Sequence, residues 1–115
     1  MIIKNNVLYV DIDRGLEKVI SLQSSDIDFT SFGTILAQIK TEKRLDAPAL
    51  FSYSLGSGIQ ASETTLSVTI TEAQSATLEN HVYWMDIKAR NGSDPYVILA
   101  DIKLINEETV TDQPT

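Results

Sequence analysis

The sequence is poorest in the residue types that most often perform catalysis or bind metal ions. It has no cysteine, which excludes disulfides, thiolate nucleophiles and cysteine-ligated metals. A single histidine, His81, excludes a site built from several histidines, and no glycine-rich phosphate-binding loop is present. These absences predict that the protein is not an enzyme and that it carries no cofactor and no metal ion.

Basic residues are also scarce. Nine lysines and arginines stand against sixteen aspartates and glutamates, which gives a formal net charge of −7. A charge of this sign opposes binding to nucleic acids and to anionic membranes. No apolar run approaches the roughly 18 residues that a membrane-spanning helix needs, and the N-terminus lacks the layout of a signal peptide. We therefore expect an acidic, soluble domain with neither nucleic acid nor a membrane as its partner.

Branched side chains, by contrast, are abundant. Val, Ile and Thr make up about a quarter of the 115 residues, and they suit a pleated, half-buried strand better than a helix. Several segments alternate apolar and polar residues with a period of two, which is typical of strands with one buried face. In the clearest run, residues 81–90, the residues predicted to face the core are Tyr83, Met85, Ile87 and Ala89.

Turn signals separate these strands and predict the fold class. Asn91-Gly92 lies between two alternating runs and favours a hairpin. Thr71 followed by Gln74 matches a capping box and predicts one short helical turn near residues 72–78. With about seven short strands around it, this pattern predicts an all-β protein, an antiparallel immunoglobulin-like β-sandwich. We expect the β-sandwich domain to span residues 1–105 and a flexible acidic C-terminal tail to span residues 106–115.

Two features hint at chemistry but are better explained by structure. The segment 11–15 (DIDRG) begins like a calcium-binding loop, yet an EF-hand needs its glycine at the sixth position rather than the fifth. We interpret it as a turn between two strands, with aspartates accepting backbone hydrogen bonds. No Gly-x-Ser-x-Gly nucleophile elbow accompanies His81, which we interpret as a solvated residue at the end of a strand.

Trp84 is the most informative residue of the sequence. If the alternation of residues 81–90 holds, the outward-facing side chains of this strand include Trp84, Asp86, Lys88 and Arg90. Exposed Trp and Arg are the residue types enriched at protein interfaces, so we predict that these four residues form an interface. Two alternatives stay open: a loop or the strand at residues 7–12 covers Trp84, or the two faces are reversed and Trp84 packs inside.

The order of the elements resembles that of a known family. The segment 28–33 (DFTSFG) leads into the strand 34–40, and later come the strand 67–70, the turn 71–78, the strand 82–87 and the Asn91-Gly92 turn. Over residues 16–105 this order resembles the small immunoglobulin-like β-sandwich proteins encoded in the structural modules of tailed bacteriophages and prophages, including domains of baseplate and receptor-binding assemblies. The loop 41–49 departs from the pattern, because it carries Lys43 and Arg44 where a glycine-rich turn is expected.

The resemblance implies a non-enzymatic virion structural or assembly protein, a component of a tail, baseplate or fibre. Its partners would be other virion proteins or copies of itself, and a homo-oligomer is expected. It would be made in the host bacterial cytoplasm and located in the virion, which agrees with the lack of cysteine. The alternative is a carbohydrate-binding or adhesin-type β-sandwich module in which Trp84 stacks on a sugar ring.

Overall fold

A computed structural model describes residues 2–4, 7–44 and 46–106 of the chain. In chain order the elements are β1 (Ile2–Lys4), β2 (Val7–Ile12), β3 (Lys18–Gln23), a 3-10 turn (Phe29–Ser31), β4 (Thr34–Lys40), β5 (Phe51–Leu55), β6 (Gly58–Ala61), β7 (Thr65–Ile70), α1 (Glu72–Ala76), β8 (Val82–Arg90) and β9 (Val97–Asn106). The predicted all-β class is confirmed, and the short helix lies in the segment predicted for it.

The strands form one mixed sheet rather than two packed layers. Their order is β1-β2-β9-β8-β4-β5-β6-β7-β3, and the sheet curls until it is nearly closed into a barrel. β2 runs parallel to β9, and β5 runs parallel to β6. The prediction of an antiparallel immunoglobulin-like sandwich of about seven strands is therefore wrong in strand number, direction and layering. Alternation shows which side of a strand is buried, but it does not show which strands pair.

The interior of the curled sheet holds the hydrophobic core. Along β8, half-buried and buried residues alternate without a break over all nine positions, and β4, β7 and β9 show nearly the same pattern. The largest fully buried side chains are Ile12, Ile35, Ile39, Ile59, Leu66, Ile70, Leu78, Met85, Ile87, Ile102, Leu104 and Val68. Because only one side of the sheet is enclosed, the alternate side chains of each strand, which point away from the core, lie on an outer surface.

Helix α1 links β7 to β8 and fixes the turn between β2 and β3. The Thr71 hydroxyl accepts from the backbone N–H of Gln74, and the Gln74 side chain accepts from the backbone N–H of Thr71, which is the predicted capping box. Ser75 is buried, and its hydroxyl donates to the Asp13 carbonyl at 3.1 Å and accepts from the Gly15 amide at 3.0 Å. The segment 11–15 thus ends β2 and forms a turn, as predicted.

The last described strand, β9, ends at Asn106. The Asn106 side chain is buried, where its Nδ2 donates to the carbonyl of Leu78 at 2.6 Å. Its backbone N–H donates to the carbonyl of His81 at 2.8 Å. Asn106, which was predicted as the first residue of the tail, is therefore held by the fold, because a buried amide needs such partners. The rest of the predicted tail, 107–115, lies outside the described residues.

Candidate interface on the outer face of the sheet

The four residues predicted as an interface lie on the outer side of β8, since the residues between them are buried. Trp84, Asp86, Lys88 and Arg90 are all half-buried. Outward side chains of β4 and β9 flank them, so a continuous surface forms. We call it the Trp84 face and define it by Lys40, Trp84, Asp86, Lys88, Arg90, Tyr96, Asp101 and Lys103. The structure thus brings the four residues together on one surface, while their role in an interface stays a prediction.

Two lysine ammonium groups lie against the Trp84 ring. Nζ of Lys43 is 5.3 Å and Nζ of Lys103 is 5.6 Å from the ring centroid, within cation–π range. Lys103 also lies 5.3 Å from the centroid of the Tyr9 ring. The loop that carries Lys43 therefore partly covers Trp84, as in the alternative of a loop over this side chain. The other alternative, with the two faces reversed and Trp84 packed inside, is wrong, because Tyr83 and Met85 are buried instead.

A cavity of about 220 Å³ opens beside Trp84. Its lining is mostly charged and consists of Lys40, Glu42, Lys43, Arg44, Trp84, Met85, Asp86, Ile98 and Asp101. β4, β8 and β9 supply its floor, and the loop after β4 supplies one wall. A cavity of this size is smaller than those that enclose a drug-sized ligand, but it accommodates one side chain or part of a sugar ring.

A buried ion pair forms part of the cavity floor. Lys40 is 4% exposed, and its Nζ lies 3.5 Å from Oδ2 of Asp86 and donates to the carbonyl of Arg44 at 3.2 Å. The other carboxylate oxygen of Asp86, Oδ1, is buried and has no hydrogen-bond partner among the described residues. Asp101 lies directly opposite Asp86 on β9, a like-charge arrangement that is unfavourable in a free sheet.

A second group of aromatic and basic side chains lies farther along β8. The Arg90 guanidinium carbon is 4.4 Å and Nζ of Lys88 is 4.9 Å from the centroid of the Tyr96 ring. Neither cation forms an ion pair with any residue that the structure describes. Val97 and Ile98, which follow Tyr96, are about half exposed, at 49% and 51%. Basic, aromatic and apolar side chains therefore lie side by side here without compensating acids.

Among the residues of the Trp84 face, the sequence-based prediction of the interface did not include Lys40, Tyr96, Asp101 and Lys103. Tyr96 could have been found, because the Asn91-Gly92 hairpin places the residue after the turn next to Arg90. The burial of Lys40 could not, because it depends on the loop that folds back to present the Arg44 carbonyl.

His81 is exposed just before β8. Within the described ranges, no cluster of three or more His, Asp or Glu side chains could hold a metal ion, and no helix is long and apolar enough to span a membrane. No protein-family model matches the chain, and no curated protein matches it.

Proposed function

We propose that this chain is a non-enzymatic structural or assembly protein of a tailed-bacteriophage or prophage virion, a tail, baseplate or fibre component. It acts through protein–protein contacts of the Trp84 face. The observation that carries the proposal is this face itself, where Trp84, Tyr96 and two cations without an ion pair among the described residues, Lys88 and Arg90, lie beside exposed Ile98. The virion setting rests on the order of elements over residues 16–105 alone, which resembles that of phage structural modules, since the strand pairing differs from the sandwich of those proteins.

The composition of the Trp84 face is that of an interface. Tyr, Trp and Arg are the residues that carry most binding energy at protein interfaces, and they act best when surrounding contacts exclude water. Trp84 and Arg90 are half-buried before any partner binds, so their side chains are already ordered and lose little entropy on association. A partner that covers Ile98, which pairs with Lys88 and is 51% exposed, would remove further apolar surface from water.

Incorporation into particles tests the proposal. We expect the chain to copurify with virions produced by its host and to cross-link through Lys88 or Lys103 to a neighbouring virion protein or to another copy. Trp84→Ala should reduce incorporation at least tenfold, because loss of an interface anchor costs roughly 2 kcal/mol or more. Ser52→Ala is the matched control: Ser52 is exposed on β5, two strands away from β8, and this variant should incorporate normally.

Two results would overturn the proposal. The first is that the chain is absent from purified particles while present in the producing cells, and the second is that Trp84→Ala is incorporated as well as Ser52→Ala. Thermal unfolding of both variants, followed by circular dichroism, checks that neither has lost its fold.

The cavity beside Trp84 favours a second candidate, a carbohydrate-binding or adhesin-type module. An aromatic ring next to carboxylates and ammonium groups is a surface on which a sugar can stack and form hydrogen bonds. Glycan binding would change the fluorescence of Trp84, the single tryptophan of the chain, in a saturable way. A broad glycan array without a hit, together with unchanged fluorescence, would eliminate this candidate.

A further inference from the structure

We infer that copies of this chain associate head to tail, with the Trp84 face of one copy docked on an acidic surface on the opposite wall of the next. The inference rests on the proposed function in taking the Trp84 face as a contact surface. It goes further by naming the partner as a second copy and by naming the surface of that copy which is bound.

The Trp84 face is positively charged although the chain as a whole is acidic. Its four basic side chains, Lys40, Lys88, Arg90 and Lys103, outnumber its two carboxylates, Asp86 and Asp101. Lys43, whose ammonium group lies above the Trp84 ring, and Glu42 both line the cavity, so their charges cancel and leave this surplus unchanged. In a chain of net charge −7, this local surplus means that the negative charge is concentrated elsewhere.

Much of that negative charge surrounds the wall formed by β3 and β7. Glu17 and Glu72 flank the end at which Lys18 pairs with Ile70. At the other end, the loop after β3 lies against the turn before β7, since the Ser24 amide donates to the Thr64 carbonyl and the Phe29 amide donates to the Glu63 carbonyl. We call this surface the acidic wall, and its carboxylates are Glu17, Asp26, Asp28, Glu63 and Glu72.

The acidic wall also offers apolar surface to a partner. Val19 on β3 is 48% exposed, and the neighbouring loop residues Leu16 and Ile27 are 59% and 37% exposed. Lys18 is the single basic residue within β3 and β7. Both surfaces therefore combine exposed apolar side chains with charges of opposite sign, which is the arrangement of a complementary interface.

The topology keeps the two surfaces apart, so that one copy cannot join them within itself. Three strands, β4, β5 and β6, separate β8 from β7 in a sheet that is nearly closed. A contact between two different surfaces is heterologous: each copy bound at its Trp84 face still presents its acidic wall. Such contacts repeat from copy to copy and form a ring where the rotation closes, which is an assembly suited to a virion component.

Complementary variants test the inference by light scattering after size-exclusion chromatography over a wide range of concentrations. The first variant, Lys88→Gln/Arg90→Gln, removes two cations from the Trp84 face. The second, Asp26→Asn/Glu63→Gln, removes two carboxylates from the acidic wall and spares Asp28, whose carboxylate accepts from the Thr30 amide at 2.9 Å.

We expect the unaltered chain to form oligomers larger than a dimer, and each variant alone to associate about tenfold more weakly, as when a close interfacial charge pair is lost. An equimolar mixture should recover a heterodimer, because the intact Trp84 face of the second variant meets the intact acidic wall of the first. The control Glu42→Gln/Asp46→Asn removes the same charge beside the Trp84 face, and it should associate at least as well as the unaltered chain.

Three outcomes would overturn the inference. The first is that the unaltered chain is a monomer at every concentration, the second is that the acidic-wall variant associates normally, and the third is that the mixture is no larger than its components. If the chain stays monomeric while Trp84→Ala still loses incorporation into particles, the Trp84 face binds a different virion protein. The proposed function then stands and head-to-tail association does not.

Discussion

The Lys40 side chain is buried on the outer face of the sheet, with its ammonium group between a carboxylate and a carbonyl. Taking a charged pair out of water is costly, and such a pair stabilises a fold only when its geometry and remaining hydrogen bonds are good. Here the ion-pair distance is 3.5 Å and one oxygen of Asp86 has no partner among the described residues. The pair fixes the loop after β4 over the cavity more than it stabilises the fold.

Removing one member of this pair should therefore cost more than removing both. We expect Lys40→Met to lower the free energy of unfolding by about 3 kcal/mol, because it leaves Asp86 largely buried without its cation. The double variant Lys40→Met/Asp86→Asn should lose less. Urea denaturation measures the free energy of unfolding of the unaltered chain, the single variant and the double variant. The control is Arg44→Met: the Arg44 side chain is 55% exposed, and we expect a loss of at most about 0.5 kcal/mol. Equal losses for the single and double variants would contradict this account.

Tyr53 on β5 is a second buried polar residue, and its environment makes stability depend on pH. It is 4% exposed, and its hydroxyl donates to Oε1 of Gln74 at 2.8 Å. Burial disfavours the phenolate and raises the pKa of Tyr53 from 10.0 to about 12. Between these two values the unfolded chain releases the proton and the folded chain keeps it. The stabilising contribution is thus complete below pH 10 and is lost as the pH rises through about 12.

Tyr53→Phe should reveal both effects. At neutral pH it should lower the free energy of unfolding by about 1 kcal/mol, the usual value for a lost hydrogen bond. Between pH 10 and 12 it should lose less stability than the unaltered chain, because no phenol is left to ionise at this position. Denaturant unfolding across this pH range measures the difference. The control Tyr96→Phe keeps Tyr53, and its stability should follow that of the unaltered chain over this pH range. If Tyr53→Phe loses as much stability between pH 10 and 12 as the unaltered chain does, the alkaline loss does not come from Tyr53.

At the scale of elements, the β5–β6 connection shows how two glycines allow an unusual pairing. β5 and β6 pair in parallel although only Gly56 and Ser57 separate them. Gly56 and Gly58 have φ of 81° and 94°, a region that other residues avoid. A Cβ at Gly58 would lie 2.5 Å from Cδ1 of Tyr53, whereas a Cβ at Gly56 would meet nothing within 4 Å.

Alanine at these two glycines should separate backbone strain from steric overlap. Gly56→Ala should lower the free energy of unfolding by about 1–2 kcal/mol, from the positive φ alone. Gly58→Ala should lose roughly 1–3 kcal/mol more, because the Tyr53 ring must move within a packed core. Urea denaturation of the two variants gives the comparison. Equal losses would mean that the ring moves aside without cost.

At the scale of the whole molecule, the sheet stops short of closing at the seam between β2 and β3. A cavity of about 150 Å³ lies there, lined by Val10 and Asp11 from β2 and by residues 18–21 from β3. Among the described strands, β3 pairs with β7 alone, whereas β8 lies between β4 and β9. Backbone groups along the open edge of β3 therefore face the seam rather than another strand, as at any sheet edge.

The exchange rates of backbone amide hydrogens should reflect this difference between β3 and β8. We expect the β3 amides that face the seam to exchange orders of magnitude faster than those of β8, because local opening requires less of the fold to separate. Exchange followed by nuclear magnetic resonance at low protein concentration measures it residue by residue. Protection of the β3 edge equal to that of β8 would show that a further strand covers the seam.

The sequence by itself determined the all-β class, the short helix and the two faces of the clearest strand, although it predicted about seven strands where the described residues form nine. Alternation assigned Tyr83, Met85, Ile87 and Ala89 to the interior, and the capping box located α1. These are local properties, because side-chain direction alternates along a strand and a helix begins where its first amides find acceptors. The same alternation predicted an outward Trp84 but left the reversed arrangement open, and the burial of Tyr83 and Met85 in the structure decided between them.

Only the tertiary structure decided which strands pair and what surrounds Trp84. β2 joins β9 in parallel across most of the chain, and no local pattern encodes a partner so distant in sequence. The cavity combines residues from β4, β8, β9 and the loop after β4, and the burial of Lys40 depends on that loop. Side-chain period therefore determines the faces, whereas long-range strand pairing determines the barrel and the surface on which the proposed function depends.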